Sequence, residues 1–207
     1  MYVKICGITS VEIAVESFAA GADMIGMVYY PPSPRHIEMR QAGRILDAVE
    51  NFRECGKKIV LVVVDELPEE VDARFDYVQV HGKIQADVIS GIKCGIIKVV
   101  KEYRELENLM AGNEKIPVEQ LFILEMSSGI LPGGNGTKWN WSAAKPFCKR
   151  FKTLIAGGIT PDNVVELIKA VEPFGVDVSS GVESAAGIKN LNKIKKLMEN
   201  IKKYIPQ

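Results

Sequence analysis

Eight short apolar runs recur along this chain, each followed by a helical or helix-sized stretch, and this alternation constrains the fold more than any other feature. Several runs are apolar almost throughout, which is typical of parallel strands that are covered on both faces. The runs are Val3–Cys6, Met24–Tyr29, Ile59–Val64, Tyr77–Val80, Ile96–Val100, Leu121–Glu125, Thr153–Ala156 and Gly175–Val178. Strands that alternate with helices predict an α/β fold with a parallel sheet.

The helical stretches carry recognisable start signals. Glu12–Ala20 follows Thr9, which is expected to cap the helix, with Glu12 at the reciprocal capping-box position. Pro161–Val171 has Thr160 as its expected N-cap and a proline at the first helical position. Two further helices are expected over Arg40–Phe52 and Leu191–Tyr204, and the latter carries a single apolar stripe.

The number and length of these units predict a closed (β/α)8 barrel, the TIM-barrel class, in one domain over residues 1–207. An open, doubly wound sheet is the structural alternative. The similar unit lengths, and the absence of a linker-like change in composition, favour closure. Because roughly 200 residues is the short end for this barrel, few insertions are expected.

Charge and cysteine content argue against several classes of function. Lys plus Arg and Asp plus Glu number 26 each, so no basic surplus indicates a nucleic-acid partner or a membrane surface. The cysteines lie far apart, which argues against a zinc site or a disulfide framework; they are Cys6, Cys55, Cys94 and Cys148. Because Met1 leads directly into a strand, secretion is not expected. Together with the scattered cysteines, this predicts a cytoplasmic protein with reduced thiols and no bound metal.

In a closed parallel barrel, the carboxyl ends of the strands and the loops after them form one mouth, where reactive groups gather. Cys6 ends the first predicted strand. A free cysteine is usually a buried small hydrophobe, and only the strand-end position favours a catalytic role. Glu125 ends the sixth strand after four apolar residues, where an acid needs solvent, a partner or a raised pKa. Other polar residues expected at the mouth are Arg35, His36, Asp65, His81 and Asp177.

Two glycine-containing loops follow the last two strands. Gly157 and Gly158 stand between the seventh strand and a helix, and Ser180 and Gly181 follow the eighth strand. Glycines let the backbone approach a ligand, and helix N-termini direct N–H groups at anions. Because the loops after strands seven and eight often bind phosphate in these barrels, we predict a phosphate site here in preference to ordinary turns.

Several candidates keep a second interpretation. His81 is either a structural histidine or a substrate contact, and His36 is expected to be incidental. Gly133–Gly136 is either a loop that covers substrate or an ordinary flexible turn. Trp139 and Trp141 are expected to anchor the next helix and not to stack on a ligand.

The motifs along nearly the whole chain resemble those of a known family. They are Lys4–Thr9, Gly21–Asp23, Ser33–Arg35, Val78–Gly82, Gly133–Gly136 before a tryptophan, Ala156–Gly158 and Val176–Glu183. Together they resemble the phosphoribosylanthranilate isomerase family of tryptophan biosynthesis, and the first and last are highly specific in combination. The resemblance implies a (β/α)8 barrel without a cofactor that acts on a small phosphoribosyl substrate.

The reaction implied by the resemblance is an Amadori rearrangement, in which an N-linked phosphoribosyl amine becomes a 1-deoxyribulose phosphate. An acid protonates the furanose ring oxygen, and the ring opens to an iminium. A base removes the proton from sugar C2, and the resulting enolamine tautomerises to the ketone. The reaction therefore needs one acid and one base.

The same resemblance suggests roles for individual residues. Cys6 matches the family's base, Arg35 matches the arginine that faces the anthranilate carboxylate, and His81 and Asp177 are expected to contact substrate. The family acid is an aspartate, and Glu125 takes its place here. Its extra methylene displaces the carboxyl by roughly 1 Å or more, which can cost about a hundredfold in rate.

Two other functions stay open at this stage. Glu125 and Lys83, which stands where the family often has an acid, prompt a related barrel isomerase that acts on another phosphosugar. The third possibility is a non-catalytic phosphosugar-binding protein, although such a protein would not need the thiol of Cys6. Both a monomer and a homodimer are compatible with the sequence.

Overall fold

The eight predicted strands are all present, and they close into a parallel barrel in chain order. A computed structural model describes residues 1–82, 93–112, 120–126 and 139–204. Its barrel strands are β1 (Tyr2–Cys6), β2 (Met24–Tyr29), β3 (Lys58–Val64), β4 (Tyr77–His81), β5 (Gly95–Val100), β6 (Leu121–Leu124), β7 (Thr153–Ile155) and β8 (Gly175–Val178). Because β8 pairs with β1, the barrel is closed, which confirms the predicted fold class and excludes the open sheet.

Helices follow most of the strands. They are α1 (Val11–Ala20), α2 (Met39–Ala48), α3 (Glu50–Glu54), α4 (Tyr103–Met110), α5 (Lys145–Arg150), α6 (Val164–Val171) and α7 (Leu191–Tyr204). Two 3-10 helices, Trp141–Ala144 and Ser180–Val182, and a hairpin of β9 (Glu183–Ala185) and β10 (Ile188–Lys189) complete the described elements. In the part of the chain that the structure describes, no helix is both long and apolar enough to cross a membrane.

The start of α1 differs from its prediction by one residue. Ser10, and not Thr9, is the N-cap, and its Oγ accepts a hydrogen bond of 3.3 Å from the Ile13 N–H. The helix begins at Val11, so the capping-box relation that the sequence suggests between Thr9 and Glu12 is wrong. Either hydroxyl could cap a helix, and the backbone of Ser10 has the extended conformation that an N-cap requires.

Two other predicted helices are interrupted or shortened. The expected helix over Arg40–Phe52 divides at Val49 into α2 and α3. The helix expected from Pro161 begins only at Val164. Ahead of it, the Asn163 Oδ1 accepts a 2.8 Å hydrogen bond from the Thr160 N–H, so a side chain stabilises a turn where the first helical turn was expected.

The alternation of strand and helix fails once within the described residues, because residues 65–76, between β3 and β4, contain no helix. Asp65, directly after β3, has a left-handed φ of 57°, and its N–H donates to the His81 carbonyl at 3.0 Å. The chain therefore turns sharply at this strand end and returns through bends and turns.

The apolar core has two layers, as expected for strands that are covered on both faces. The outer layer lies between the strands and the helices. The inner layer fills the barrel and is formed by Cys6, Met24, Val28, Val60, Val62, Ile97, Leu121, Ile123, Leu154 and Ala156. Cys6 is therefore the member of this inner layer that ends β1.

Candidate active site

One cavity opens at the carboxyl ends of the barrel strands, and it collects nearly all of the predicted site residues. Those that line it are Cys6, Arg35, His81, Glu125, Gly157, Gly158, Asp177 and Ser180. Gly181, the remaining predicted residue, follows Ser180 directly and does not line the cavity. The residues come from six strands or the loops after them, so only the closed barrel brings them together.

Cys6 is held at the mouth by the backbone on both sides of it. The Gly7 and Ile8 N–H groups both donate to the Gly26 carbonyl, at 2.9 and 2.8 Å. Gly7 has a left-handed φ of 80°, which turns the chain away from the strand. The Ser179 hydroxyl donates to the Cys6 carbonyl at 3.0 Å, so the end of β1 is also tied to the loop after β8.

A buried ion pair lies beside the Cys6 thiol. The Lys4 Nζ is 2.9 Å from the Asp177 Oδ1, and the lysine is fully buried inside the barrel. Burial acts to lower the pKa of Lys4, but Asp177 and Cys6 outweigh it, so the pKa is raised and the ammonium stays charged. Burial raises the pKa of Cys6, and the Lys4 ammonium opposes that rise.

Lys4 was not among the residues predicted from the sequence, although a signal for it exists. Alternate residues of a strand point to the same face, so Lys4 and Cys6 share the barrel interior. A charged residue two positions before a strand-end thiol, in an otherwise apolar run, indicates a buried charge at the site.

Glu125 directly follows β6, and its N–H donates to the Val100 carbonyl at 3.0 Å. The side chain is 5% exposed and lines the cavity. Burial lowers the pKa of Lys101, which follows β5. The Glu125 carboxylate acts to raise that pKa, but burial outweighs it. Glu125 therefore presents its carboxyl group at the mouth, where the resemblance places an aspartate.

Arg35 binds a protein carboxylate in this structure. Its Nε and Nη2 each donate to Glu183 at 2.8 Å, one bond to each carboxylate oxygen. Its side chain packs on Gly7, where an added Cβ would lie 2.6 Å from the Arg35 Cδ. Glu183 thus fixes the guanidinium at the rim of the cavity, in the bidentate geometry that arginine favours with carboxylates.

Glu183 also pairs with Lys189, and this buried charge pair was not predicted. The Lys189 Nζ lies 2.6 Å from the Glu183 Oε1 and also donates to the Ser179 carbonyl at 3.1 Å. Burial acts to raise the pKa of Glu183, but Arg35 and Lys189 outweigh it and hold the pKa at about 2. Burial lowers the pKa of Lys189, against the attraction of Glu183.

His81 is buried, and one of its ring nitrogens, Nε2, lies 2.7 Å from the Gln79 Nε2. Both side chains line the cavity. The contact with Gln79 fits a structural histidine, and the position in the cavity fits a substrate contact. His36 instead accepts a hydrogen bond of 3.1 Å from the Tyr30 N–H through Nδ1 and does not line the cavity.

The loop after β7 is built on two glycines with left-handed φ angles, 87° at Gly157 and 70° at Gly158. Three successive carbonyls of this segment accept hydrogen bonds from side chains. The donors are Trp139 to Ala156 at 2.8 Å, Trp141 to Gly157 at 3.2 Å and Asn163 to Gly158 at 2.9 Å. With these carbonyls fixed, the peptide planes between them are fixed as well. The indoles thus anchor this loop, in addition to any role toward the next helix.

The loops after β7 and β8 touch each other at Gly181. A Cβ added there would lie 1.8 Å from the Ile159 carbonyl oxygen, which no side chain can occupy. Glycine at this position therefore allows the two loops to approach closely.

Two features of the sequence analysis, Lys83 and Gly133–Gly136, lie outside the described residues. In the ranges that the structure describes, no group of three His, Cys, Asp or Glu residues is arranged to hold a metal ion.

Comparison with known proteins relates the whole chain to one family. The family model described as N-(5'-phosphoribosyl)anthranilate (PRA) isomerase matches residues 3–200. The N-(5'-phosphoribosyl)anthranilate isomerase of Aquifex aeolicus is 37% identical over 205 residues, covering 97% of this chain and 98% of that protein. The crystal structure of phosphoribosyl anthranilate isomerase from Thermotoga maritima superposes with a TM-score of 0.82 at 33% identity, covering 98% of this chain and 99% of that one.

A further solved structure of phosphoribosyl anthranilate isomerase contains reduced 1-(o-carboxyphenylamino)-1-deoxyribulose 5-phosphate. It is 33% identical to this chain, covers 98% of it and 99% of its own length, and has a TM-score of 0.78.

Proposed function

The chain belongs to the N-(5'-phosphoribosyl)anthranilate isomerase family, and on that premise we propose which residues carry out the reaction. The reaction converts N-(5'-phosphoribosyl)anthranilate to 1-(2-carboxyphenylamino)-1-deoxyribulose 5-phosphate in tryptophan biosynthesis. In our proposal, Glu125 is the general acid and Cys6 is the general base. The observation that carries the proposal is that both side chains line the cavity that the two glycine loops also line.

The chemistry begins at the furanose ring. The Glu125 carboxyl donates its proton to the ring oxygen, the bond from that oxygen to C1 breaks, and C1 and the anthranilate nitrogen become an iminium. The Cys6 thiolate then takes the proton from C2, and the electrons of that C–H bond neutralise the iminium as an enolamine. Tautomerisation of the enolamine gives the ketone product.

The raised pKa of Cys6 is compatible with a base that forms during the reaction. Burial keeps most of the thiol protonated in the free protein. The iminium places a positive charge next to the thiol after the ring has opened, and a nearby opposite charge favours the thiolate. The thiol releases its proton to solvent, and the fraction of Cys6 in the thiolate form, which can take the C2 proton, is therefore largest after the acid has acted.

We propose that two groups of residues around the cavity bind the substrate. The phosphate is held by the loops of Gly157, Gly158, Ser180 and Gly181. Arg35 supplies a positive charge for the anthranilate carboxylate, and Glu183 orients it. His81 and Asp177 line the same cavity and are proposed to contact the ribose portion.

The test is the loss of fluorescence of the anthranilate substrate with the unaltered protein, Cys6→Ala and Glu125→Gln. We expect turnover with the unaltered protein, none that is detectable with Cys6→Ala, and a strongly reduced rate with Glu125→Gln. Circular dichroism is expected to show a folded barrel for both variants. Cys55→Ala removes an exposed thiol away from the cavity and is the matched control with unchanged turnover.

A second substrate separates this proposal from the related isomerase on another phosphosugar. If an aminoimidazole-type ribonucleotide is turned over and the anthranilate substrate is not, the substrate assignment is wrong. Tight binding of the anthranilate substrate without turnover by the unaltered protein would instead indicate a phosphosugar-binding protein.

A further inference from the structure

Lys4 is a fully buried lysine inside the barrel, and its ammonium lies beside the Cys6 thiol. Lys4 is the Cα partner of Asp177 in the pairing of β1 with β8, so the two side chains emerge next to each other. A Cβ added at Gly26, on the other neighbouring strand, would lie 3.1 Å from the Lys4 Nζ and 3.0 Å from the Cys6 Sγ. The ammonium and the thiol thus converge on the space that this glycine leaves.

Packing alone does not explain a lysine at this position. Removing an ammonium and a carboxylate from water is costly, and their mutual attraction offsets that cost only when the geometry and the remaining hydrogen bonds are excellent. Well-packed apolar residues that replace a buried ion pair often leave stability unchanged or increase it. A methionine has a similar length and would fill the same volume without a charge. The charge of Lys4 is therefore better explained by the Cys6 thiol next to it.

We propose that Lys4 is a positioning residue that stabilises the Cys6 thiolate, and that Asp177 keeps its ammonium charged and directed at the sulfur. The inference rests on the proposed role of Cys6 as the base. Lys4 acts through the thiol, since it is fully buried and, unlike Cys6, does not line the cavity.

Several other charged or titratable groups surround the thiol. They are Asp177 on β8, Arg35 after β2, His81 at the end of β4, Glu125 after β6, and Glu183 and Lys189 on the β9–β10 hairpin. Among the cations, Lys4 opposes the effect of burial on the pKa of the thiol most strongly. Lys189 acts in the same direction more weakly, and its ammonium is bound to Glu183.

The experiment measures the acidity of Cys6 directly in the whole protein. The rate of alkylation by iodoacetamide is followed against pH, and peptide mass spectrometry separates Cys6 from the other three cysteines. In Lys4→Met, we expect the alkylation midpoint of Cys6 to move to higher pH by about 1 unit or more, the size of effect that one nearby opposite charge produces. An unchanged midpoint, or a midpoint at lower pH, would overturn the proposal.

Lys189→Met is the matched comparison, because it removes the other buried lysine of the site. We expect a smaller shift of the Cys6 midpoint than in Lys4→Met. Equal shifts in the two variants would contradict a specific role for Lys4 and would indicate a general effect of positive charge.

Lys4→Met leaves Asp177 without its lysine and can fail to fold for that reason. The double variant with Lys4→Met and Asp177→Asn removes both charges and keeps the volume. Its midpoint is also expected above that of the unaltered protein, because Lys4 acts on the thiol more strongly than Asp177 does. A midpoint equal to that of the unaltered protein in this variant counts against the proposal.

The pH dependence of kcat/KM separates this inference from the proposed function. If Cys6 is the base, the rising limb of the profile moves to higher pH together with the alkylation midpoint in Lys4→Met. If the midpoint moves and the rate profile does not, Lys4 still controls the thiol, but the assignment of Cys6 as the base fails.

Discussion

At the scale of single residues, the proposal that Glu125 is the acid predicts that turnover depends on where its carboxyl group is held. Glu125→Gln keeps the size of the side chain but cannot donate a proton, and we expect kcat to fall by about 10² to 10⁴. Glu125→Asp keeps the acid but withdraws it by about 1 Å, for an expected loss of up to about a hundredfold. Kinetics with the anthranilate substrate give both values. The control for binding is the Kd of reduced 1-(o-carboxyphenylamino)-1-deoxyribulose 5-phosphate, called the reduced product analogue below.

The order of kcat among the unaltered protein and the two variants is the informative result. We expect the unaltered protein to be fastest, Glu125→Asp intermediate and Glu125→Gln slowest. If Glu125→Gln retains full activity, Glu125 is not the acid. If Glu125→Asp exceeds the unaltered protein, the cavity is shaped for the aspartate of the family and not for the longer side chain.

Glu183 connects the site to stability against acid. Its folded pKa of about 2 lies below the ordinary value of 4.5, because Arg35 and Lys189 outweigh the effect of burial. The folded state therefore binds fewer protons than the unfolded state between these values. The contribution of Glu183 is fully present above pH 4.5 and is lost as the pH falls toward about 2.

We therefore expect Glu183→Gln to lower the melting temperature at pH 7 and to raise KM, since Arg35 loses its carboxylate. The difference in melting temperature from the unaltered protein is expected to narrow between pH 4.5 and about 2. Thermal unfolding in a series of buffers measures it, with Glu12→Gln, an exposed glutamate of α1, as the control. A constant difference over this range would show that the carboxylate charge is not what stabilises the site.

At the scale of elements, the two loops that we propose bind the phosphate are in contact at Gly181. Gly181→Ala places a methyl group 1.8 Å from the Ile159 carbonyl oxygen, so the backbone of one loop has to move. We expect KM for the phosphorylated substrate to rise by tenfold or more, because a displacement of about 1 Å is enough to misplace binding groups. Steady-state kinetics measure this change.

Gly43→Ala is the matched control for the same substitution. An added Cβ at Gly43 meets nothing within 4 Å, and the residue lies inside α2. Alanine there is expected to stabilise the protein by about 0.5 to 1 kcal/mol through helix propensity and to leave kinetics unchanged. An equal rise of KM in both variants would show that the contact between the loops is not responsible.

Helix boundaries also show what local sequence can decide. Thr9 and Ser10 are adjacent residues with the same capping chemistry, and the choice between them depends on backbone angles that tertiary packing sets. The turn ahead of α6 has the same character, because Asn163 competes with the helix through its side chain. The predicted helices were therefore found, with ends that shift by a few residues.

At the scale of the whole molecule, closure of the barrel follows from the repeat of apolar runs, since each strand has to be covered on both faces. The position of the site was predictable for the same reason, because parallel strands end at one mouth. Two of the buried ion pairs join distant parts of the chain and were not predictable. Lys4 and Asp177 are 173 positions apart, and Arg35 and Glu183 are 148 apart, so no local pattern connects them.

Because the site draws on residues from both halves of the chain, a ligand that binds it stabilises only the closed barrel. A ligand at 100 times its Kd adds about 2.7 kcal/mol to the free energy of unfolding. We expect the reduced product analogue to raise the melting temperature and to protect Cys6, but not the exposed Cys55, from alkylation. At the same analogue concentration, Gly181→Ala is expected to show a smaller rise. A saturating analogue that raises the melting temperature while Cys6 is alkylated at its usual rate would mean that the ligand binds away from the thiol.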